Sequence, residues 1–252
     1  MDAPLAIHEF QLPKVASGAF SIVMGSDKNL WFTEYSGNRI GRITTKGVIT
    51  EFTLPKANSF PYSIATGPDK NLWFTESNNN SIGRITPKGI IAEFVLPITN
   101  SFPTNITQGP GRKLWFTDGS ANRIGSITIQ GTVTTFQLPT PGSNPYAIAT
   151  GTDGTLWFTE AGANKIGYMT NTGAFKEFAL QTSSLWGIAL GRDKNLWFTE
   201  GNLDKIGRIT PAGTITEFQL PSSNCNPYGI TLDFNGKLWF TEYTSNRIGY
   251  IR

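Results

Sequence analysis

The sequence predicts an all-β fold, a six-bladed β-propeller built from four-stranded blades. Three observations predict it. The pentapeptide Leu-Trp-Phe-Thr-Glu, with Asp118 ending the third copy, recurs with tryptophans at Trp31, Trp73, Trp115, Trp157, Trp197 and Trp239. The steps between them are 42, 42, 42, 40 and 42 residues, so six units fill the 252-residue chain. A period of this length with an aromatic strand in each unit marks a radial β-repeat, in which one unit alone cannot bury both of its faces. Each unit also carries short β-prone runs between turn signals, and no segment shows a helical period.

The unit at residues 60–97 shows the elements in order. Tyr62 to Thr66 reads as a first strand, and Gly67-Pro68-Asp69-Lys70-Asn71 as a turn. Leu72 to Glu76 is the aromatic second strand, followed by a polar loop at Ser77 to Asn80. Ser81 to Thr86 is the third strand, Pro87-Lys88-Gly89 a turn, and Ile90 to Leu96 the fourth, stopped by Pro97. The last unit ends at Arg252, after its third strand, while residues 7–13 match residues 49–55 of a fourth strand. Strand 7–12 is therefore expected to pair with strand 246–251, closing the ring and covering two edges. Residues 1–252 are read as one propeller domain.

Composition limits the function classes. A net charge of +3 is too small and too evenly spread for a nucleic-acid surface. No run approaches the roughly 18 apolar residues of a membrane helix, and no basic-then-apolar leader opens the chain. A soluble monomer is expected, cytoplasmic or secreted after loss of a signal. The single Cys225 excludes an internal disulfide and a cysteine metal cluster, and reads as a small residue in a surface loop.

A residue that recurs in every unit cannot mark one site. The Trp, Phe and Leu of the second strand, the Ile-Gly of the third and the Phe of the fourth are read as packing between blades. The acids Glu34, Glu76, Asp118, Glu160, Glu200 and Glu242 end the second strands. Five residues on stand Arg39, Arg123, Lys165, Lys205 and Arg247, with Ser81 breaking the pattern in the second blade. This reads as a ring of ion pairs. The alternative is a carboxylate set for Mg²⁺ or Ca²⁺, with Glu76 as the metal candidate because it lacks a basic partner. The column that varies opens the first strands: Phe20, Tyr62, Thr104, Tyr146, Trp186 and Tyr228. Propeller topology puts it at one mouth of the channel. Tyr62, Tyr146, Trp186, Tyr228 and Tyr243 are the candidate ligand site, since aromatics with polar tips receive peptides, sugars and aromatic small molecules.

The units Gly-Pro-Asp-Lys-Asn-Leu-Trp-Phe-Thr-Glu-Ser (67–77), Asn-Arg-Ile-Gly-Arg-Ile-Thr (38–44) and Thr-Glu-Phe-Gln-Leu-Pro (216–221) resemble the repeats of the virginiamycin B lyase family, kin to NHL-type propellers. The resemblance covers the whole chain. It implies Mg²⁺-assisted elimination that opens a cyclic depsipeptide at its ester, a metal polarising the ester while a base takes the adjacent proton. Where the family pattern has two histidines and a glutamate, this chain has Trp186, Tyr228 and Tyr243. The only histidine, His8, belongs to the outer fourth-strand segment. Three readings stand. The first is a non-catalytic module binding a peptide, glycan or aromatic small molecule at the mouth. The second is a Mg-dependent C–O lyase, and the third a protein-interaction scaffold.

Overall fold

A computed structural model describes residues 9–181 and 184–251. They form six antiparallel sheets in propeller arrangement, five of four strands and the sixth of three. Each four-stranded sheet runs in sequence order from inner to outer strand, as in Pro61–Thr66, Leu72–Glu76, Ser81–Ile85 and Ile91–Val95 of the second blade. The only helical turns among the described residues are two 3-10 segments, Pro110–Arg112 and Gly201–Leu203.

The repeated residues do repeated work. Each tryptophan of a second strand is buried or nearly so, and five stack on the fourth-strand phenylalanine of their own blade, as Trp73 does on Phe94 at 5.3 Å. An indole N–H in such a place needs an acceptor. The turn before each second strand supplies one: Asp27, Asp69, Asp193 and Asp233 carboxylates, the Thr155 hydroxyl, or the Pro110 carbonyl, at 2.8–3.1 Å. The Ile-Gly pair of the third strand lets the second-strand phenylalanine lie flat across the sheet. A Cβ at Gly83 would enter the ring of Phe74, and the same holds for Gly41 and Phe32. Five apolar clusters result, one at each interface between consecutive blades, such as Trp31, Ile40 and Leu54 against Ile64, Leu72, Phe74 and Ile85.

The second-strand threonine ties blade to blade. Thr75 Oγ1 accepts the Ser63 N–H of its own sheet at 3.0 Å and donates to the Thr104 carbonyl of the next blade at 3.0 Å. Thr33, Thr117, Thr159 and Thr199 do likewise toward Tyr62, Tyr146, Trp186 and Tyr228. These four acceptors, with Thr104, are the residues that open the first strands.

The expected closing strand, 7–12, lies partly outside the described residues. Residues 9–12 form no strand, and no partner is paired to the outer edge of strand Arg247–Ile251 among the described residues. Phe10 nevertheless occupies a fourth-strand seat. It lies over Gly47 in the first blade as Phe52 lies over Gly89 and Phe94 over Gly131. The short loop of the fifth blade leaves Trp186 in register, because Leu185 pairs with Glu200 just as Pro145 pairs with Glu160. Cys225 is fully buried rather than set in a surface loop, in the column of Ser59, Ser101 and Ser143.

The stacked glycine makes a direct test. Replacing Gly83 by Ala should lower stability by about 1–3 kcal/mol, because the added methyl forces Phe74 out of its rotamer in a packed core. Urea unfolding followed by tryptophan fluorescence reads it, and an unchanged midpoint would contradict the packing described.

Candidate functional site

Every first strand carries a one-residue irregularity near its start. In the second blade Pro61 faces Glu76 and Ile64 faces Phe74, so three steps on one strand match two on the other. The same shift recurs in the other five blades. A bulge of this kind re-aims a side chain away from the sheet face, and here the residue concerned is Tyr62, Tyr146, Trp186 or Tyr228. The threonine hydroxyl caps the freed N–H one residue later, as at Ser63, Ala147, Gly187 and Gly229.

The re-aimed residues meet. The hydroxyls of Tyr62, Tyr146 and Tyr228, from alternate blades, converge on one another. Tyr146 is in hydrogen-bond contact with both others, and the Tyr62 and Tyr228 oxygens are 3.2 Å apart. Trp186 packs at 5.1 Å from Tyr146, edge to face, and at 5.2 Å from Tyr228. Tyr243 stands 6.1 Å from Tyr228 and is 75% exposed. All five sequence-expected residues are thus brought into one cluster. Three rings outside that set extend it. Phe20 lies 4.2 Å from Tyr62, Tyr35 lies 5.8 Å from Tyr62, and Phe60 stacks on Tyr35 at 4.9 Å. Tyr35 was findable, since it follows Glu34 as Tyr243 follows Glu242.

The polar atoms of the cluster are few. Burial raises the Tyr62 phenol above its usual range, and burial with the adjacent Tyr62 raises Tyr146 further. Both remain neutral hydrogen-bonding groups across the physiological range, and neither is a base there. The Trp186 Nε1 and the Asn226 Oδ1 are buried without partners, and both flank Gly201.

The acid column departs from the expected ring of ion pairs. Among these acids only Glu34 is bridged, to Arg39 at 2.7 Å. Lys165 and Lys205 turn instead to fourth-strand acids, Glu177 and Glu217, each at 2.6 Å. Arg123 bonds Gln137 and Arg247 bonds Ser222. The reason is geometric: the base sits on the third strand, between second and fourth, and a fourth-strand acceptor lies beside it. Asp118 is held by Ser101 and the Phe102 N–H. Glu76 is not the exception, because Glu76, Glu160 and Glu200 are all fully buried with both carboxyl oxygens unpaired. Burial pushes each of these three up to about 7; nearby Glu93, Glu177 and Glu217 act in the same direction on Glu76, Glu160 and Glu200 respectively.

Among the described residues no three acids, histidines or cysteines come together, the donor number that a Ca²⁺ cage of protein oxygens exceeds. The Glu76 side chain, the expected metal candidate, is fully buried.

The buried carboxyls predict a pH dependence. Unfolded, each glutamate ionises near 4.5, while folded it holds its proton to about 7. The stabilisation is complete below the lower value and is lost as pH rises to the upper one. The melting temperature should fall by several degrees between pH 5 and pH 8, and Glu160→Gln should flatten that slope. A melting temperature that rises over this window would show the carboxylates to be compensated.

The model of the virginiamycin B lyase family matches residues 1–186 and 181–252. The structure of a catalytically inactive histidine-to-alanine variant of virginiamycin B lyase from Staphylococcus aureus, with quinupristin, is similar at 42% identity. Its TM-score is 0.94, over 97% of this chain and 84% of that one. A streptogramin B lyase structure is similar at 39% identity and a TM-score of 0.93, over 97% of this chain and 82% of that one. Hydrazine synthase of Kuenenia stuttgartiensis shares the fold alone, at 18% identity and a TM-score of 0.79 over 97% of this chain and 79% of that one. With the repeat matched from end to end and the identity well above the level at which only folds are shared, this chain belongs to the virginiamycin B lyase family.

Proposed function

We propose that the described propeller binds a cyclic depsipeptide of the streptogramin B kind at the aromatic mouth, without opening it. The observation that carries this reading is the continuous cluster of rings running from Phe60 through Tyr62, Tyr146, Trp186 and Tyr228 to Tyr243, with three tyrosine hydroxyls converging within it. A large apolar ring carrying amide and ester groups matches such a surface: aromatic faces take its side chains, and tyrosine hydroxyls take its backbone. A 42%-identical relative was crystallised with quinupristin. That relative is catalytically inactive after loss of one histidine. The described residues here include no histidine, the chain's single one being His8. The phenols that stand at the mouth are too weakly acidic to act as the base.

A second reading is the elimination itself, favoured by the 39–43% identity to lyases over nearly the whole chain. It would need a base other than the mouth phenols. One titration separates the two. Quinupristin titrated calorimetrically should bind with a dissociation constant on the order of 1–100 µM. Trp186→Ala should weaken binding roughly tenfold or more, about 1.4 kcal/mol. Incubation with Mg²⁺ should leave the macrocycle intact by mass spectrometry. Absence of binding contradicts the proposal, and formation of the linear product replaces it with the lyase reading.

A further inference from the structure

The end of the propeller opposite the mouth is built from turns. First strands run from the mouth down to it and second strands return, and third and fourth strands do the same. It therefore consists of residues 25–29 and 44–48 in the first blade, 67–71 and 86–90 in the second, and 109–113 and 128–132 in the third. The small net charge of the chain is not evenly spread, as composition suggested, but gathered here. These turns carry Lys28, Lys46, Lys70, Lys88, Arg112 and Lys113 against two acids, Asp27 and Asp69. Six bases less two acids leave +4, where the whole chain is +3. In the mouth-side loops of the same blades Glu34, Glu76 and Asp118 balance Arg39, Lys56 and Arg123.

The turn geometry points acids and bases in opposite directions. The Asp27 and Asp69 carboxylates fold inward onto the Trp31 and Trp73 indole N–H groups and the asparagine two residues on. Lys28 and Lys70 follow with left-handed backbone, at φ of 63° and 66°, and are exposed. Lys46, Lys88 and Arg112 are exposed as well.

Apolar tips stand beside these cations in the two blades whose third-to-fourth-strand turn carries a lysine. Lys46-Gly47-Val48 and Lys88-Gly89-Ile90 leave Val48 62% and Ile90 66% exposed. The next three blades have Gln130-Gly131-Thr132, Thr172-Gly173-Ala174 and Ala212-Gly213-Thr214, with neither feature. Packing does not demand the difference, because a phenylalanine covers the turn glycine alike in all five. The two tips are also closed on themselves. The Val48 and Ile90 N–H groups donate to Thr44 and Thr86 Oγ1 at 3.1 Å, and the Thr44 and Thr86 N–H groups donate back to the Val48 and Ile90 carbonyls at 3.0 Å. Such a tip leaves water without stranding a backbone group.

We propose that this end of the first three blades is a docking face for an anionic lipid bilayer. The six cations meet headgroup phosphates, and Val48 and Ile90 enter the headgroup layer between them. Charge complementarity selects an anionic surface, and the aliphatic tips select lipid. Single-stranded nucleic acid is held on aromatic platforms, whereas the two large apolar side chains exposed among these cations are aliphatic. A protein partner needs a contiguous apolar centre, which two separate tips do not make. Docked this way, the aromatic mouth faces the solution.

Cosedimentation with vesicles tests the face. The protein should bind phosphatidylcholine vesicles containing about a third phosphatidylglycerol, and not vesicles of phosphatidylcholine alone. Raising salt from about 0.05 M to about 0.5 M should weaken binding roughly tenfold. Lys46→Gln with Lys88→Gln should weaken it by a similar factor, and Val48→Ser with Ile90→Ser severalfold. Arg123→Gln, at the mouth end, should leave it unchanged. All five positions lie in turns or at the surface, so melting temperatures should stay close to that of the parent. Equal binding to neutral vesicles, or none to anionic ones, would overturn the proposal. Heparin or duplex DNA bound as tightly as the vesicles, with no effect of the Val48 and Ile90 changes on vesicle binding, would make the face a general polyanion surface and overturn it too. None of these readouts depends on depsipeptide binding.

Discussion

The hydroxyl of the second-strand threonine is the constraint on which the rest depends. It has one proton to give and lone pairs to receive with, and it receives within its own sheet while it gives across the blade boundary. By accepting an N–H just past the bulge it stabilises the irregularity that turns the mouth residue inward. By donating to the carbonyl of the next mouth residue it fixes the distance between neighbours in that column. The tryptophan stacks and the Phe-over-Gly contacts hold the outer parts of each sheet, but the hydroxyl sets the spacing at the centre. Scaffold and site are joined through this one atom per blade.

That arrangement explains how a repetitive chain can make a single site. Every blade delivers a side chain to the mouth by the same bulge, and only the identity of that side chain varies. Three tyrosines in alternate blades put their hydroxyls at one point, with Trp186 wedged between two of them. The intervening position in the third blade is Thr104, too small to compete for the centre. A different residue in any one column would change the chemistry of the mouth without disturbing the sheets beneath.

The period, the four strands of a unit, the aromatic core and the mouth column were legible in the sequence because each follows from local patterning repeated many times. The bulge was not, since it depends on a threonine hydroxyl capping a backbone N–H twelve residues away. The acid column misled for a related reason. Five-residue spacing places Lys165 directly opposite Glu160, yet the lysine reaches Glu177 on its other side, which spacing along one hairpin does not reveal. Residues 7–13 match a fourth strand in sequence, and in their described part Phe10 takes a fourth-strand seat over Gly47 although residues 9–12 form no strand.

The account's central claim is that the re-aimed aromatic column is the ligand site and the repeats are its mount. A crystal structure of the protein with quinupristin tests this most directly. Ligand density is expected over Tyr62, Tyr146, Trp186 and Tyr228, with the mutual tyrosine contacts broken and tyrosine hydroxyls bonded to the ligand. Tyrosine hydroxyls still bonded to one another, with the ligand lodged between the fifth and sixth blades beside Arg208 and Phe218, would contradict it.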